Sequence, residues 1–309
     1  ENEKNKNFFE KFWNTKLDEK KGLTVVEIMN AVHSKQIKGM YILGENPAMS
    51  DPDLNHAREA LQKLDHLIVQ DIFLTETATY ADVILPASAW PEKNGTVTNT
   101  NRQVQMGRKA IETPGLAKED WWITNEIGKR LGLPWSYTNP KDIYNEMALT
   151  MPSLNNITWD RLIKENSVTY PCKSLKLPGE EIVFGDKFPT TSGKGKFVKA
   201  EVTNPDELPD DDFSMILTTG RQLEHWHTGA MTRKASNLDA IEPEPSVSLS
   251  PRDIMTNNLK PGDMIKVSTR RGSIQIRVRQ DSGIPNGVLF IPFCYNEAAA
   301  NLLTNSALA

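Results

Sequence analysis

The sequence predicts an α/β part built on a parallel sheet, followed by a small β-barrel. In the first half, apolar runs of strand length are separated by segments with helical spacing, a pattern typical of a parallel sheet covered by helices. Past Pro205, short strands follow one another with Pro-Gly and Gly turns between them, as in barrels and sandwiches. The 309 residues suffice for two domains, each with its own core.

Three strands and two helices are predicted in the first half. The strands are apolar on both faces, and the first is closed by Gly44. The first helix carries apolar residues at helical spacing opposite charged ones, while the second has Asp120 in its first turn and stops at Gly132. The predicted strands are residues 37–44, 66–73 and 82–87, with a short turn or helix over 75–81, and the helices are 55–65 and 117–133.

The second half begins after an acidic spacer, residues 207–212, which predicts a domain boundary. Strands are predicted over 213–220 and 287–293, and residues 264–280 alternate in polarity around the turn sequence TRRG, which predicts a hairpin. Residues 136–205 are rich in Pro, Asn, Ser and Lys and predict an irregular connecting segment. The predicted parts are therefore residues 1–135, 136–205 and 206–309.

Composition argues against several classes of protein. A net charge of −4 leaves no basic excess to neutralise a nucleic-acid backbone. No apolar run is long enough to span a bilayer and no signal peptide opens the chain, so we expect a cytoplasmic protein. The two cysteines form no CxxC pair, which argues against a structural zinc or an iron–sulfur cluster held by this chain alone. The absence of GxGxxG argues against an ordinary NAD site. The first residue is Glu1 and not Met, from which we expect a piece of a larger protein.

Polar residues follow the first two predicted strands. The turn GENP offers an open backbone at Gly44 and an amide at Asn46, while Gln70 and Asp71 end the next strand. Because ligands of a parallel sheet bind outside the carboxyl ends of its strands, both are candidate nucleotide contacts, with Asp71 suited to guanine or a ribose hydroxyl. A plain turn at GENP, and a helix cap or solvated loop at the second strand end, are the alternatives.

The segment TTGRQLEHWHTGAMTR, residues 218–233, concentrates polar side chains after an apolar run. A metal site built on His225 and His227 lacks a third ligand nearby. A phosphate cradle is better supported, because the segment has threonine hydroxyls, open glycine backbone and the guanidinium groups of Arg221 and Arg233. A surface loop packed by Trp226 is the other alternative.

Longer motifs resemble the catalytic subunits of the dimethyl sulfoxide reductase family of molybdenum enzymes. The motifs are YILGENP, VQDIFLTETATYADVILPASAWPEKNGTVTNTNRQVQ, TTGRQLEHWHTGAMTR and PFCYNEAAANLLTN, and the resemblance runs from about residue 23 to 305. Within the family the chain resembles formate dehydrogenase alpha subunits, with periplasmic-type nitrate reductases as the alternative. The resemblance implies molybdenum or tungsten held by two molybdopterin guanine dinucleotides. It also implies part of an α/β nucleotide-binding domain, followed by a six-stranded double-psi β-barrel domain.

The resemblance also implies which residues bind the cofactor. It places the guanosine and phosphate of one dinucleotide at Asn46, Gln70, Asp71, Lys93 and Asp120. It places the pterin and phosphates against Thr219, Gly220, Arg221, Gln222, Leu223, Glu224, His225, Trp226, His227 and Thr228. Phe293 and Asn301 would close the site from the barrel side. From the residues alone, Lys93 is equally a solvated turn residue and Asp120 a first-turn helix charge.

For the whole enzyme, the resemblance implies oxidation of formate to carbon dioxide, with electrons leaving through iron–sulfur clusters to an electron-transfer subunit or acceptor. In the family the metal ligand, the substrate arginine and the cluster cysteines precede the region that Glu1 begins, so no catalytic or metal-binding residue is predicted here. Cys172 and Cys294 are expected to be structural. We therefore expect the cofactor-anchoring C-terminal portion of a formate dehydrogenase, inactive by itself. A non-catalytic pterin-nucleotide-binding module is the alternative.

Overall fold

A computed structural model describes residues 3–307 of the chain. The helices are α1 (Glu3–Trp13), α2 (Val25–His33), α3 (Pro47–Ser50), α4 (Leu54–Gln62), α5 (Asp120–Arg130), α6 (Pro140–Thr150), α7 (Trp159–Glu165), α8 (Ser236–Ile241) and α9 (Pro251–Thr256). The strands are β1 (Gly39–Leu43), β2 (His66–Asp71), β3 (Val83–Pro86), β4 (Gly95–Thr98), β5 (Gln103–Gly107), β6 (Ser167–Thr169), β7 (Ile216–Gly220), β8 (Ser246–Leu249), β9 (Met264–Ser268), β10 (Ser273–Gln280) and β11 (Val288–Pro292).

The chain divides into two compact units, each assembled from two segments. The first unit comprises Glu1–Lys21 and Pro86–Glu201, and the second comprises Gly22–Leu85 and Val202–Ala309. The division after residues 135 and 205 stays a prediction. Within residues 3–307, the helices are all too short or too polar to cross a membrane.

The second unit contains the sheet formed in the order β1-β2-β3. Strands β1 and β2 are parallel, with Leu43 opposite Gln70, which confirms the parallel pairing predicted from their apolar runs. Tyr41 and Leu43, on the face of β1 away from the core, are 41% and 44% exposed. The sheet was predicted to be covered on both faces, and at β1 one face is only partly covered. The core under this sheet consists of Met29, Val32, Ile42, Ala48, Ala60, Leu61, Leu67, Val69 and Ala78.

The same unit contains a five-stranded sheet in the order β7-β11-β8-β10-β9. Strands β9 and β10 are antiparallel, with Ser268 opposite Ser273, which confirms the hairpin predicted around TRRG. Strand β7 runs parallel to β11, and β8 runs parallel to β10. The sheet is open, with β7 and β9 at its edges, and its closure into a barrel stays a prediction. Alternate residues of β10 point into a core made of Val247, Leu249, Ile254, Val267, Ile274, Ile276, Val278, Leu289, Ile291, Ala298, Ala300 and Leu303.

The predicted acidic spacer is held against the turn of this hairpin. Arg270 pairs with Glu207 and Asp210, and the Nη1 atom of Arg271 lies 2.6 Å from a carboxylate oxygen of Glu207. The hydrogen bond from Arg271 is the main cause that holds the pKa of Glu207 below its ordinary value. The guanidinium of Arg270 also lies over the ring of Phe213, 4.6 Å from its centroid. The segment is therefore part of the packed unit and not a free spacer.

The first unit contains an antiparallel sheet in the order β4-β5-β6. Strand β6 and the helices α6 and α7 lie within residues 136–205. Residues 140–169 are therefore not the irregular segment that was expected. Asn139 and Thr158 cap the two helices by accepting hydrogen bonds from Asp142 and Arg161 backbone N–H groups. These caps, together with buried apolar side chains, stabilise the two helices although the segment is polar in composition. The buried residues are Val104, Tyr144, Leu154, Ile157, Trp159, Leu162, Val168 and Cys172.

Candidate functional site

The carboxyl ends of β1 and β2 lie side by side in the second unit. The N–H of Gly44 donates to the carbonyl of Gln70 at 2.9 Å, and its φ of +65° is one that glycine adopts readily. The side-chain oxygen of Gln70, which is fully buried, accepts a hydrogen bond from the Tyr41 hydroxyl. One carboxylate oxygen of Asp71 accepts from the N–H of Ile72 at 2.6 Å. The structure thus brings the two predicted strand-end sites together.

Asn46 holds the GENP turn against the 3₁₀ helix Thr77–Tyr80. Its side-chain oxygen accepts from the N–H and the hydroxyl of Thr77 at 3.1 and 2.7 Å, and its amide nitrogen donates to Glu76 at 2.8 Å. The Thr77 hydroxyl in turn accepts from the N–H of Ala48 at 3.0 Å. Asn46 is 6% exposed, so its side chain has a structural role, and its contact with a nucleotide stays a prediction.

The end of α3 contains an acid that the sequence analysis missed. Asp51 is 8% exposed, and burial raises its pKa to about 6. Nearby, the side-chain amide of Asn301 donates to the carbonyls of Met49 and Ser50 at 3.1 and 2.8 Å. Asn301 therefore caps the last turn of α3 from the far end of the chain. The contact of Asn301 with the cofactor stays a prediction. No local sequence pattern could have identified Asp51.

The segment after β7 is a loop, in which the two histidines have different environments. His225 is 3% exposed, its Nε2 lies 2.8 Å from the carbonyl of Glu242, and its buried Nδ1 has no partner among the described residues. His227 is exposed and has a φ of +48°. One ring is thus buried and the other exposed, so the two histidines do not face a common site. Where β7 ends, a Cβ on Gly220 would lie 2.6 Å from the Phe290 ring.

Two exposed rings of the loop lie near Phe293, which is half-buried against the core of the five-stranded sheet. The His227 ring centroid lies 4.7 Å from that of Trp226 and 6.4 Å from that of Phe293. Trp226 is 60% exposed, and Leu223 beside it is 95% exposed. We call Trp226, His227 and Phe293 the aromatic surface. Flat apolar groups exposed in this way are suited to a planar ligand.

The two arginines of the loop differ in their partners. The Nε atom of Arg233 lies 2.6 Å from a carboxylate oxygen of Asp239, and its Nη1 lies 3.0 Å from Glu297. Its guanidinium also lies 4.7 Å from the centroid of the Tyr295 ring. Arg233, predicted as a phosphate donor, is therefore an anchor of the loop. Arg221 is exposed and has no ion pair among the described residues, so it is the guanidinium open to an anion.

Gly229 turns the loop back against the segment after β11. It has a φ of +75°, and a Cβ there would lie 2.6 Å from both the carbonyl oxygen of Cys294 and the Cγ of Arg233. Its N–H donates to the carbonyl of Trp226, whose own N–H donates to the Thr232 hydroxyl, both at 2.9 Å. Close packing at a glycine thus holds the aromatic surface in place.

In the first unit, the structure brings Lys93 and Asp120 together as an ion pair. The Lys93 ammonium also donates to the carbonyl of Ser88 at 2.8 Å, and Asp120 opens α5, where the helix dipole favours a carboxylate. The buried Ser88 hydroxyl has no partner within residues 3–307. The two predicted residues are therefore neighbours, and their contact with a nucleotide stays a prediction.

Both cysteines are free and buried. The Cys172 thiol donates to the carbonyls of Ser174 and Leu177 at 3.1 and 3.2 Å. Burial raises the pKa of the Cys294 thiol to about 11, which keeps it protonated at neutral pH. Their surroundings are those of packed structural residues.

Two family descriptions match the chain. Residues 5–130 match the family described as Molybdopterin oxidoreductase, and residues 215–309 match the Molydopterin dinucleotide binding domain. The second match contains the loop and the aromatic surface.

Curated relatives match nearly the whole chain. The chain is 45% identical over 302 residues to the F420-dependent formate dehydrogenase subunit alpha of Methanocaldococcus jannaschii, a match that covers 97% of this chain and 45% of the relative. It is 33% identical over 308 residues to the assimilatory nitrate reductase catalytic subunit of Bacillus subtilis, covering 96% of this chain and 43% of the relative. The chain thus spans less than half the length of these relatives. Among solved structures, acetylene hydratase from Pelobacter acetylenicus has a similar fold, with a TM-score of 0.71 and 21% identity over 91% of this chain and 42% of that one.

Proposed function

Since the chain belongs to the molybdopterin oxidoreductases, we propose that it is the cofactor-anchoring part of a formate dehydrogenase catalytic subunit. The observation that carries the proposal is 45% identity to a formate dehydrogenase alpha subunit across 97% of the chain, against 33% to a nitrate reductase. The whole enzyme would oxidise formate to carbon dioxide and pass electrons through iron–sulfur clusters to a partner subunit. The relative's name favours F420 over NAD as the final acceptor.

The loop of the second unit fits a molybdopterin dinucleotide. Its aromatic surface can pack against a planar pterin, and the exposed fork of Arg221 can donate to phosphate or pterin oxygens. The Nε2 atom of His225 faces a carbonyl, so a neutral imidazole donates there and leaves as an acceptor Nδ1, which has no partner among the described residues. Glycine at 220 lets the backbone lie close to a neighbouring ring, where any side chain would intrude. The family matches support a cofactor of two such dinucleotides with molybdenum or tungsten.

The chain's own residues would bind and orient this cofactor. When bound, the metal centre supplies the redox chemistry, while the protein supplies position and electrostatics. Arg233 holds the loop in shape, and the loop residues 219–228 with Phe293 contact the pterin and phosphates. At the strand ends, Gln70 and Asp71 contact the guanosine, with Asn46 holding the turn beside them. Asn301 is a further proposed cofactor contact of the second unit. The pair Lys93 and Asp120 of the first unit is proposed, by itself, to contact guanosine and phosphate.

We further propose that the five-stranded sheet belongs to a double-psi β-barrel domain. A cavity of about 660 Å³ is lined by residues of both edge strands, among them Leu217 of β7 and Val267 of β9. A sixth strand laid along these edges would pair their open backbone groups and cover the apolar lining. The domain would comprise residues 206–309, preceded by a connecting segment over 136–205 and part of an α/β nucleotide-binding domain over 1–135.

The experiment is an analysis of the full-length protein, purified without oxygen. We expect molybdenum or tungsten, guanine nucleotide released on hydrolysis, and formate-dependent reduction of F420, with NAD and nitrate assayed in parallel. Reduction of nitrate without oxidation of formate would identify a nitrate reductase instead. A protein that holds the cofactor but acts on neither substrate would be a pterin-nucleotide-binding module.

A further inference from the structure

Lys234 lies beside the turn that follows β2, where no motif of the sequence placed a cation. It ends the 3₁₀ helix Thr232–Lys234, directly after the loop of the candidate site. Its ammonium nitrogen lies 5.6 Å from the centroid of the Phe73 ring, and Phe73 is two residues beyond Asp71. This contact, within the second unit, joins the loop to the carboxyl end of the parallel strands.

Lys234 and its neighbour Arg233 use their charges differently. Arg233 is paired with Asp239 and Glu297. No carboxylate among residues 3–307 lies within ion-pair distance of Lys234, whose side chain is exposed. The ring of Phe73 lies on one side of the ammonium group, and such a cation–π contact restricts where the group lies without neutralising it. The turn after β2 therefore has a localised positive charge close to it.

We propose that Lys234 binds a phosphate group of the nucleotide whose base is held at Asp71. The inference rests on the proposed function and assigns one more residue to the same site. A nucleotide at the end of a parallel sheet brings its phosphates near the strand-end loops. Because Asp71 is itself an acid, anionic phosphates beside it need a cation to offset the repulsion. An ammonium group with three donors meets that need as a point charge.

The test uses the full-length protein and the nucleotide it retains. Variants Lys234→Gln and Lys234→Arg are compared with Lys260→Gln, which removes another exposed lysine of the second unit that has no ion pair among the described residues. Each protein is held at low and at high ionic strength, desalted, and assayed for guanine nucleotide per polypeptide. Thermal unfolding of each variant is measured beside the retention.

We expect Lys234→Gln to lose nucleotide about tenfold faster than wild type at low ionic strength, as for one charge-assisted contact. The difference should shrink in high salt, which screens the interaction. Lys234→Arg should keep most of the retention, and Lys260→Gln all of it. Equal retention in Lys234→Gln and Lys260→Gln would overturn the inference and leave the proposed function intact. Equal loss in Lys234→Gln and Lys234→Arg, with lowered thermal stability, would also overturn it, since packing on Phe73 and not charge would then explain the loss. A wild-type protein without guanine nucleotide would overturn the proposed function as well.

Discussion

Replacing Gly229 with alanine tests whether the loop depends on its close packing against Cys294. At a φ of +75°, the added Cβ would lie 2.6 Å from a backbone carbonyl oxygen, which cannot rotate away, and 2.6 Å from the Cγ of Arg233. A left-handed conformation costs alanine about 1 kcal/mol. Overpacking adds about 1–3 kcal/mol. The expected loss in the free energy of unfolding is therefore about 2–4 kcal/mol.

Gly287 provides the matched control. It has a φ of +77°, and no atom lies within 4 Å of a Cβ built there. Gly287→Ala should therefore cost only the conformational part, about 1 kcal/mol. Urea denaturation of both variants and the wild type measures the difference, which isolates the contact with Cys294. If both variants lose the same stability, the steric reasoning is refuted.

Three further predictions concern buried or paired polar groups. Burial raises the folded pKa of Asp51 to about 6, so the free energy of unfolding should fall as pH rises from about 4 to 6. Urea denaturation at a series of pH values should show a flatter slope for Asp51→Asn than for wild type. Equal slopes would contradict this prediction. Asn46→Ala should cost about 2–3 kcal/mol in urea denaturation, because it leaves Thr77 without its buried acceptor, and a loss typical of a surface site would count against the network. Arg233→Met should lower the melting temperature more than Arg233→Lys, since only lysine keeps a charge for the two carboxylates; equal losses would remove the anchoring role.

Local patterns predicted the elements whose signals are local. The parallel strands β1 and β2 follow apolar runs, and the hairpin of β9 and β10 follows alternation around a glycine turn. The helices within residues 140–169 were missed because the longer segment 136–205 is rich in Pro, Asn, Ser and Lys, a composition that hides its short helical stretches, although Asn139 and Thr158 are standard caps. Strand β8 was missed because its alternation of serine with valine and leucine spans only four residues, and both serines are buried with the apolar residues.

The position of the candidate site came from the motifs, and cofactor binding by its residues stays a prediction. The motifs identified the loop and the strand ends, and the family matches confirm the resemblance on which the cofactor prediction rests. The sequence does not reveal which side chains are already paired in the fold. Arg233 meets Glu297 across 64 positions, and Asn301 reaches Ser50 across 251. Only the three-dimensional structure separates Arg233, which is paired, from Arg221 and Lys234.

The assembly of each compact unit from two distant segments bears on how the chain emerges from the ribosome. Residues 22–85 are made before residues 86–201, but their partners within the second unit begin only at residue 202. At about 5–20 residues per second, residues 22–85 wait on the order of ten seconds or more. During that time Met49 and Leu54, which later pack on Ala299, have no partner from the end of the chain. The first unit can be completed meanwhile, so the second is the one in greater need of a chaperone during synthesis.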